Sequence, residues 1–201
     1  MTPATEDLVA GPDGRPRCRW AVSAPEYVAY HDDEWGRPVH GDDPLFEKLC
    51  LEAFQSGLSW LTILRKREAF RAAFADFDIA AVAAFGDDDV ARLMADAGIV
   101  RNPLKIEAVI ENARRLQAIR ESEGSFAAWL DTQHPLSREK WVKLFKQTFR
   151  FTGGEIVGEF LMSLGYLKGA HVPSCPVHAE VAKLAPPWAT NAKKAGATAS
   201  A

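Results

Sequence analysis

The chain has 201 residues, with 47% hydrophobic and 25% charged side chains and a formal net charge of −3. These values are ordinary for a folded globular protein, and the length suits one large domain or two small ones. The charge does not favour a nucleic-acid partner, although a local basic face would be enough to bind one. No apolar run approaches the roughly 20 residues of a membrane span, and no signal pattern opens the sequence, so we expect a cytoplasmic protein without a membrane partner.

The first segment is rich in glycine, proline and acidic residues and has no periodicity, which predicts a disordered leader over residues 1–16. After Cys18 the character changes, because four large aromatic residues crowd a segment that is too polar and proline-broken for one regular element. These are Trp20, Tyr27, Tyr30 and Trp35. They either line a pocket or form a small satellite core, and the sequence favours neither.

A helix is predicted from Pro44 to Arg67, with Asp42 or Asp43 as its N-cap and an interruption or bend possible at Gly57. Its apolar stripe contains Leu45, Leu49, Trp60, Ile63 and Leu64. Glu52 lies at the edge of that stripe and not on the polar face. Two explanations remain open for this carboxylate. It either pairs with an arginine at the margin of the core or points into an aromatic cavity.

The remaining segments have helical periodicity, and no strand pattern persists, so the predicted class is all-α. Asp78 is expected to cap one helix, and Thr152 to Glu155 has the spacing of a capping box for another. The proline- and alanine-rich segment 181–201 is predicted to be a disordered tail.

A tight connection between two predicted helices surrounds Gly98 and continues into a helix that contains Ile106. Such a turn presents backbone N–H groups where a phosphate can bind, and Arg101 and Lys105 are close by. This spacing is weak on its own, since any pair of antiparallel helices resembles it.

Three cysteines are too few for a disulfide framework and favour metal-binding or core roles. Cys18 and His31 lie near the start of the sequence, whereas His171 and Cys175 have an i,i+4 spacing that would place both on one helical face. Four such ligands form a closed structural zinc site, which would join the two ends of the chain. Two alternatives remain open: a disulfide between Cys18 and Cys175, which a cytoplasmic location disfavours, and unrelated core thiols.

Four segments together closely resemble the 3-methyladenine DNA glycosylase I family of the helix-hairpin-helix superfamily. They read CRW, EYVAYHDDEWGRP, LFEKLCLEAFQSGLSWLTILRKR and AGIVRNPLKI. The resemblance extends from about Cys18 to Cys175 and is more specific than any one motif. It implies a helix-hairpin-helix DNA glycosylase fold over residues 17–180, with a helical core at about 42–150, the hairpin at 98–106, and terminal segments 17–41 and 150–180 joined by zinc.

The resemblance also implies a site and a reaction. The implied ligands of a structural Zn²⁺ are Cys18, His31, His171 and Cys175, and the implied DNA contacts are Gly98, Val100, Arg101 and Lys105. Glu52 would be the catalytic residue that hydrogen-bonds the base, which Trp20, Tyr27, Tyr30, Trp35 and Trp60 would enclose. The expected activity is hydrolytic excision of N3-methyladenine from alkylated double-stranded DNA by a monomeric glycosylase without lyase activity.

Two departures from the family pattern leave other functions open. Gly169 and Ala170 stand where members often carry Asn-Asp before the second zinc histidine, and Glu155 adds an acid near the DNA-facing pocket. One alternative is a helix-hairpin-helix DNA-binding protein of altered or lost lesion specificity. The other is a metallohydrolase with a catalytic zinc.

Overall fold

A computed structural model of the chain describes residues 7–190, which are mostly helical. Two compact units divide the chain: a terminal unit, Met1–Pro38 with Leu161–Ala201, and a central unit, Val39–Phe160. The helices are α1 (Pro25–Asp33), α2 (Asp42–Gln55), α3 (Trp60–Ala73), α4 (Ile79–Ala83), α5 (Asp87–Ala95), α6 (Pro103–Glu123), α7 (Phe126–Gln133), α8 (Arg138–Thr148), α9 (Gly154–Ser163) and α10 (Pro176–Lys183). No helix among residues 7–190 is long and apolar enough to cross a membrane.

The terminal unit opens with a small antiparallel sheet of two strands, β1 (Leu8–Ala10) and β2 (Pro16–Cys18). Buried Arg17 holds this hairpin in place, because its guanidinium donates to the Asp13 carboxylate at 2.6 Å and to that of Asp32 at 2.7 Å. The prediction of a disordered leader is therefore wrong for residues 8–16, whereas the all-α class is confirmed apart from these two short strands. Strands of three residues are too short to produce a recognisable alternation in a sequence.

The predicted disordered tail is also wrong for its first part. Helix α10 extends to Lys183, and residues 187–190 are helical. Val177 and Val181 are buried on the inner face of α10, beside Cys18 and Cys175, so apolar packing fixes this helix. The rest of the predicted leader and tail, residues 1–6 and 191–201, lies outside the described residues.

Helix α2 forms the centre of the central unit, with α3, α4, α6 and α7 packed around it. Every residue from Leu45 to Phe54 is buried, so the predicted apolar stripe is in fact a helix enclosed on all sides. Glu47 is buried with them and forms ion pairs with Arg67 at 2.6 Å and with Arg71 at 3.0 Å. In contrast to Glu47, Glu52 has no arginine among the described residues that affects its pKa.

The start of α2 differs from the prediction, because Gly41 is the N-cap and both aspartates lie in the first turn. Asp42 instead accepts the backbone N–H of Ala127 at 3.2 Å and forms an ion pair with Arg120 at 2.8 Å. Its carboxylate thus connects α2 with α6 and the beginning of α7. A sequence shows that an aspartate suits a helix start, but not which neighbouring element it contacts.

The predicted interruption at Gly57 is confirmed. Gly57 has a φ of +82°, a conformation that favours glycine, and it lies between the end of α2 and the start of α3. Ser59 then caps α3 by accepting the N–H of Thr62 at 3.2 Å. The segment predicted as one stretch is therefore two helices.

Of the other predicted caps, Asp78 is confirmed and the capping box is wrong. The Asp78 carboxylate accepts the N–H of Ala81 at 2.7 Å. The Thr152 hydroxyl instead donates to the carbonyl oxygens of Phe145 and Phe149, which anchors the segment before α9 to the end of α8.

Candidate functional site

The structure brings the four predicted metal-binding residues together inside the terminal unit. Cys18 ends β2 and His31 lies on α1, whereas His171 lies in the loop after α9 and Cys175 immediately precedes α10. All four side chains are buried, and their ligand atoms lie within 4.8 Å of one another. The prediction that His171 and Cys175 share a helical face is wrong, because the segment between them is a loop that ends at the N-cap of α10.

Hydrogen bonds fix the orientation of both histidine rings. His31 Nδ1 lies 2.8 Å from the Asp32 carboxylate, and His171 Nε2 lies 2.9 Å from the carbonyl oxygen of Trp35. Both partners only accept, so these two nitrogens carry the protons. The other two, His31 Nε2 and His171 Nδ1, face each other at 3.1 Å with their lone pairs. That arrangement is repulsive unless a cation lies between them, so the site fits a metal ion.

The charge states of the four side chains also fit a metal ion. Burial lowers the pKa of His31, and it lowers that of His171 to about 4, so both rings are neutral ligands at pH 7. Burial also raises the pKa of Cys18 to about 11, so its thiolate requires a nearby positive charge. Zinc ligands at 2.0–2.3 Å in a tetrahedron stand about 3.3–3.8 Å apart, and Cys175 Sγ lies 3.6 Å from His31 Nε2. The donor set and spacing therefore suit tetrahedral zinc.

Asp32 is a functional residue that the sequence interpretation missed. It accepts from His31 Nδ1 and, on its other side, from buried Arg17. The guanidinium lowers the pKa of Asp32 against the opposing effect of burial, so the carboxylate remains ionised beside the histidine. An acidic residue directly after a candidate histidine ligand was the available signal, since metal-binding histidines usually donate their second N–H to such a group.

Four aromatic residues near the start of the terminal unit, Trp20, Tyr27, Tyr30 and Trp35, form one cluster centred on Trp20. Its ring centroid lies 5.7 Å from that of Tyr27, 6.5 Å from that of Tyr30 and 6.2 Å from that of Trp35. Tyr30 and Trp35 are buried, whereas Trp20 is 37% exposed, so the cluster has an accessible face. The Trp35 Nε1–H donates to the carbonyl oxygen of Ala170 at 2.6 Å. This bond uses backbone, so the Ala170 side chain, atypical for the family, does not affect it.

Glu52 lies in the middle of α2 and is only 3% exposed. Among the residues that the structure describes, neither a hydrogen bond nor an arginine contributes to the pKa of its carboxyl group. Burial raises its pKa to about 8, the negative charge of Glu159 adds to that rise, and Lys48 opposes it. The alternative of an arginine pair at the core margin is thereby excluded within residues 7–190. The sequence interpretation missed Glu159, which lies on α9 and whose pKa is also raised by burial.

The predicted base-binding residues fall into two sets. Glu52 belongs to the central unit, together with Trp60, the half-buried first residue of α3. The Trp20 cluster belongs to the terminal unit. That both sets line one pocket stays a prediction.

The predicted DNA contacts lie in the turn between α5 and α6 and at the start of α6, and two of them have partners within the protein. Lys105 is buried, and its Nζ donates to the carbonyl oxygens of Phe54 at 2.8 Å and Ser56 at 2.6 Å, where α2 ends. Two of the three N–H donors of this ammonium are therefore used within the protein, and its role as a DNA contact stays a prediction. The Gly98 N–H is also occupied, because it donates to Asp96 at 2.7 Å. Val100 remains half-buried, and Arg101 is exposed.

Solved structures of 3-methyladenine DNA glycosylase I have the same fold. One matches with a TM-score of 0.73 and 37% identity, covering 80% of this chain and 98% of that chain. Another, solved in complex with 3-methyladenine, matches with a TM-score of 0.72 and 33% identity over 80% and 96% of the two chains. This shared helical fold, with the Cys2His2 cluster and the buried carboxylate, defines the protein as a helical DNA glycosylase.

The methyladenine glycosylase family model matches residues 20–135. The chain belongs to that family. DNA-3-methyladenine glycosylase 1 of Escherichia coli is 39% identical over 178 residues, which cover 79% of this chain and 95% of the relative. The Haemophilus influenzae DNA-3-methyladenine glycosylase is 33% identical over 80% and 96% of the two chains.

Proposed function

We propose that the protein excises N3-methyladenine from alkylated double-stranded DNA by hydrolysis, after the base has turned out of the duplex into a pocket. The observation that carries the proposal is Glu52, a buried carboxyl group whose pKa is raised by burial and by Glu159, with no hydrogen bond among the causes of the shift. Burying such a group without a partner is costly, so it is usually retained for a ligand. An ionised carboxylate only accepts hydrogen bonds, so it selects a cationic base that presents N–H donors.

The resting proton state of Glu52 strengthens that selection. With a pKa of about 8, the carboxyl group of the free protein is mostly protonated at neutral pH. A purine methylated at N3 carries a positive charge, which lowers the pKa of a nearby carboxyl group and favours the ionised form. A neutral purine supplies no such charge and leaves the group protonated. Binding of the cationic base and loss of the Glu52 proton are therefore coupled.

Aromatic walls compensate for the cost of extruding the base. Turning a nucleotide out of the stack costs a few kcal/mol, and least for a damaged base. Stacking on an aromatic side chain contributes about 1–3 kcal/mol per base, and a cationic purine gains more from the ring faces. We assign this role to Trp60 and to the Trp20 cluster. The complex of a structural relative with 3-methyladenine supports the assignment.

The chemical step needs little acid catalysis. The bond between C1′ of the deoxyribose and N9 of the base breaks, and its electron pair leaves on the base, which becomes neutral. Water adds to C1′ and releases a proton. Lys48 lies one helical turn before Glu52 and its charge favours the ionised carboxylate, so we assign it charge balance and not Schiff-base formation. No strand cleavage is expected.

We further propose that the Cys2His2 cluster holds one structural Zn²⁺. Four protein ligands leave no position for substrate, so the metal supplies no chemistry to the reaction and ties together the segments that carry the Trp20 cluster. The turn between α5 and α6 would act as the helix-hairpin-helix and contact the DNA backbone near Val100 and Arg101. A cytoplasmic location and a monomeric state stay predictions.

One assay tests the function: the protein is incubated with methylated duplex DNA, and the released free bases are identified. Wild type should release 3-methyladenine, whereas Glu52→Ala and Trp60→Ala should lose release with zinc content and helicity near wild type. Glu121→Ala, which removes an exposed glutamate of α6, is the matched control.

Unchanged release by Glu52→Ala would refute the assigned role. Tight binding to an abasic duplex, without base release from any methylated DNA by wild type, would favour the alternative of a DNA-binding protein that has lost excision. Borohydride reduction during turnover should trap no protein–DNA adduct. An adduct that forms with wild type but not with Lys48→Ala would show a lyase activity.

A further inference from the structure

A groove of about 470 Å³ lies on the central unit beside the turn between α5 and α6. Its lining combines large apolar residues, Leu104 and Phe151 among them, with the basic residues Lys146 and Arg150. Leu104 is 66% exposed and Phe151 is 36% exposed, although both are large hydrophobic side chains. Exposed apolar residues next to cations commonly mark a binding surface.

The backbone that carries Phe151 is held in one conformation by its surroundings. Asn112, a buried residue of α6, accepts the N–H of Arg150 at 2.7 Å and donates to its carbonyl oxygen at 3.0 Å. Thr152 is tied to α8 by its bonds to Phe145 and Phe149. Between these anchors Phe151 has a φ of +57°, a strained conformation for an aromatic residue. Strain maintained in this way is typical of functional positions.

The electrostatics of the groove favour an anion. Lys146 and Arg150 line the groove and are exposed, and neither forms a salt bridge within the described residues. Arg115 also lines the groove, but its charge is balanced by Glu111 at 2.8 Å. Lys105 Nζ lies 5.6 Å from the Phe151 ring centroid and adds positive charge beneath the ring. Glu107 is the acidic residue of the lining, so the cations outnumber it.

We propose that this groove binds one nucleotide of the DNA substrate outside the base pocket, with the base against Phe151 and Leu104 and its phosphate on Arg150 and Lys146. An aromatic ring beside two cations is how proteins bind an unpaired nucleotide without reading its sequence. Leu104 lines the groove and follows Pro103, where α6 starts, so the groove adjoins the turn that we propose contacts the DNA backbone. This inference rests on the proposed function, because it assigns a second contact with the same DNA.

The test compares binding of an abasic-site duplex with binding of free 3-methyladenine, the latter followed by tryptophan fluorescence. Phe151→Ala should weaken duplex binding by about 5- to 100-fold, the loss expected for one stacked base. Lys146→Gln and Arg150→Gln should each lower the salt dependence of binding by about one phosphate contact. Free-base affinity should not change in any of them. Two variants are the matched controls. Lys143→Gln alters a lysine on the same helix as Lys146 but outside the groove, and Leu184→Ala removes an exposed leucine elsewhere.

Two variants separate binding from folding. Phe151→Gly relieves the positive φ, so it should retain or raise the thermal midpoint and still weaken duplex binding. Phe151→Tyr should restore binding. Duplex binding equal to wild type in Phe151→Ala and Phe151→Gly would overturn the proposal.

The remaining outcomes distinguish this proposal from the proposed function. If the groove variants release the base normally and bind the duplex as wild type does, the groove proposal is refuted and the proposed function stands. If wild type releases no base but the groove variants bind the duplex more weakly than wild type, the glycosylase activity is refuted and the groove proposal is supported. The protein could instead bind polyglutamate in a way that depends on Phe151 and Arg150, while substitutions of these residues leave DNA binding unchanged. That result would assign the groove to an acidic protein segment and refute the proposed nucleotide ligand.

Discussion

Glu52 shows how a carboxyl group is prepared for a charged ligand by what surrounds it. Its burial and the nearby Glu159 oppose ionisation, whereas Lys48 favours it. The unusual position of Glu52 was predictable, because helical periodicity places it away from the polar face. The contribution of Glu159 was not, since periodicity within α2 carries no information about a carboxylate on α9.

The raised pKa of Glu52 predicts a specific pH dependence of stability. The group titrates near 4.5 when exposed and near 8 in the folded protein, so between these values the folded state holds a proton that the unfolded state releases. Its contribution to stability is complete below about pH 4.5 and falls as the pH rises to about 8. Glu52→Gln removes this fall and should stabilise the protein at pH 7 by on the order of 3 kcal/mol.

Urea unfolding of wild type and Glu52→Gln at pH 5 and pH 8 measures the effect. The difference in unfolding free energy between the two proteins should be larger at pH 8. Glu68→Gln alters an exposed glutamate, so its difference in unfolding free energy from wild type should be the same at pH 5 and pH 8. An equal difference at both pH values would mean that the Glu52 carboxyl group titrates normally.

Lys105 shows why an exposed role cannot be inferred from charge alone. The sequence places it beside a predicted phosphate-binding turn, and its charge suits that role. The structure uses the ammonium to satisfy two carbonyl groups at the end of α2, which otherwise lack partners. Only the fold shows that this helix end is within reach of Lys105.

At the level of elements, the Cys2His2 cluster is assembled from one strand, one helix and one loop. The residue types and their pairing near the two ends of the chain made this set a candidate beside a disulfide and core thiols, and the family resemblance selected it. The local geometry was not predictable, because spacing cannot distinguish a helical i,i+4 pair from a loop that brings His171 and Cys175 together. The sequence interpretation missed the strand that ends at Cys18, because three residues are too few to show an alternating pattern.

Asp32 orients His31, which predicts an effect on metal affinity. Asp32→Asn retains the shape of the side chain but loses the charge that holds the Nδ1 proton, so zinc affinity should fall by about 10- to 100-fold. Competition with a chromophoric chelator measures this affinity. Asp33→Asn, one residue further and exposed, is the control and should bind zinc as wild type does. Equal affinities in the two variants would show that Asp32 serves only the hairpin through Arg17.

At the level of the whole molecule, the predicted site residues belong to two different units of the chain. The terminal unit contains the Trp20 cluster and the cluster of metal ligands, and the central unit contains Glu52 and Trp60. The helical class was predictable because buried helices show a clear periodicity. The division of the predicted pocket between two units was not, because it depends on long-range contacts that join the beginning and the end of the sequence.

Removal of the metal should therefore affect the two units differently. Without a cation, the lone pairs of His31 and His171 face each other, so the terminal unit should loosen, whereas the central unit keeps its own apolar core. Hydrogen exchange after chelation should accelerate in residues 17–38 and 161–183 and stay slow in residues 42–150. Base release should be lost and should return when zinc is added back. Equal acceleration in both units, or full base release by the metal-free protein, would show that the Trp20 cluster does not depend on the metal.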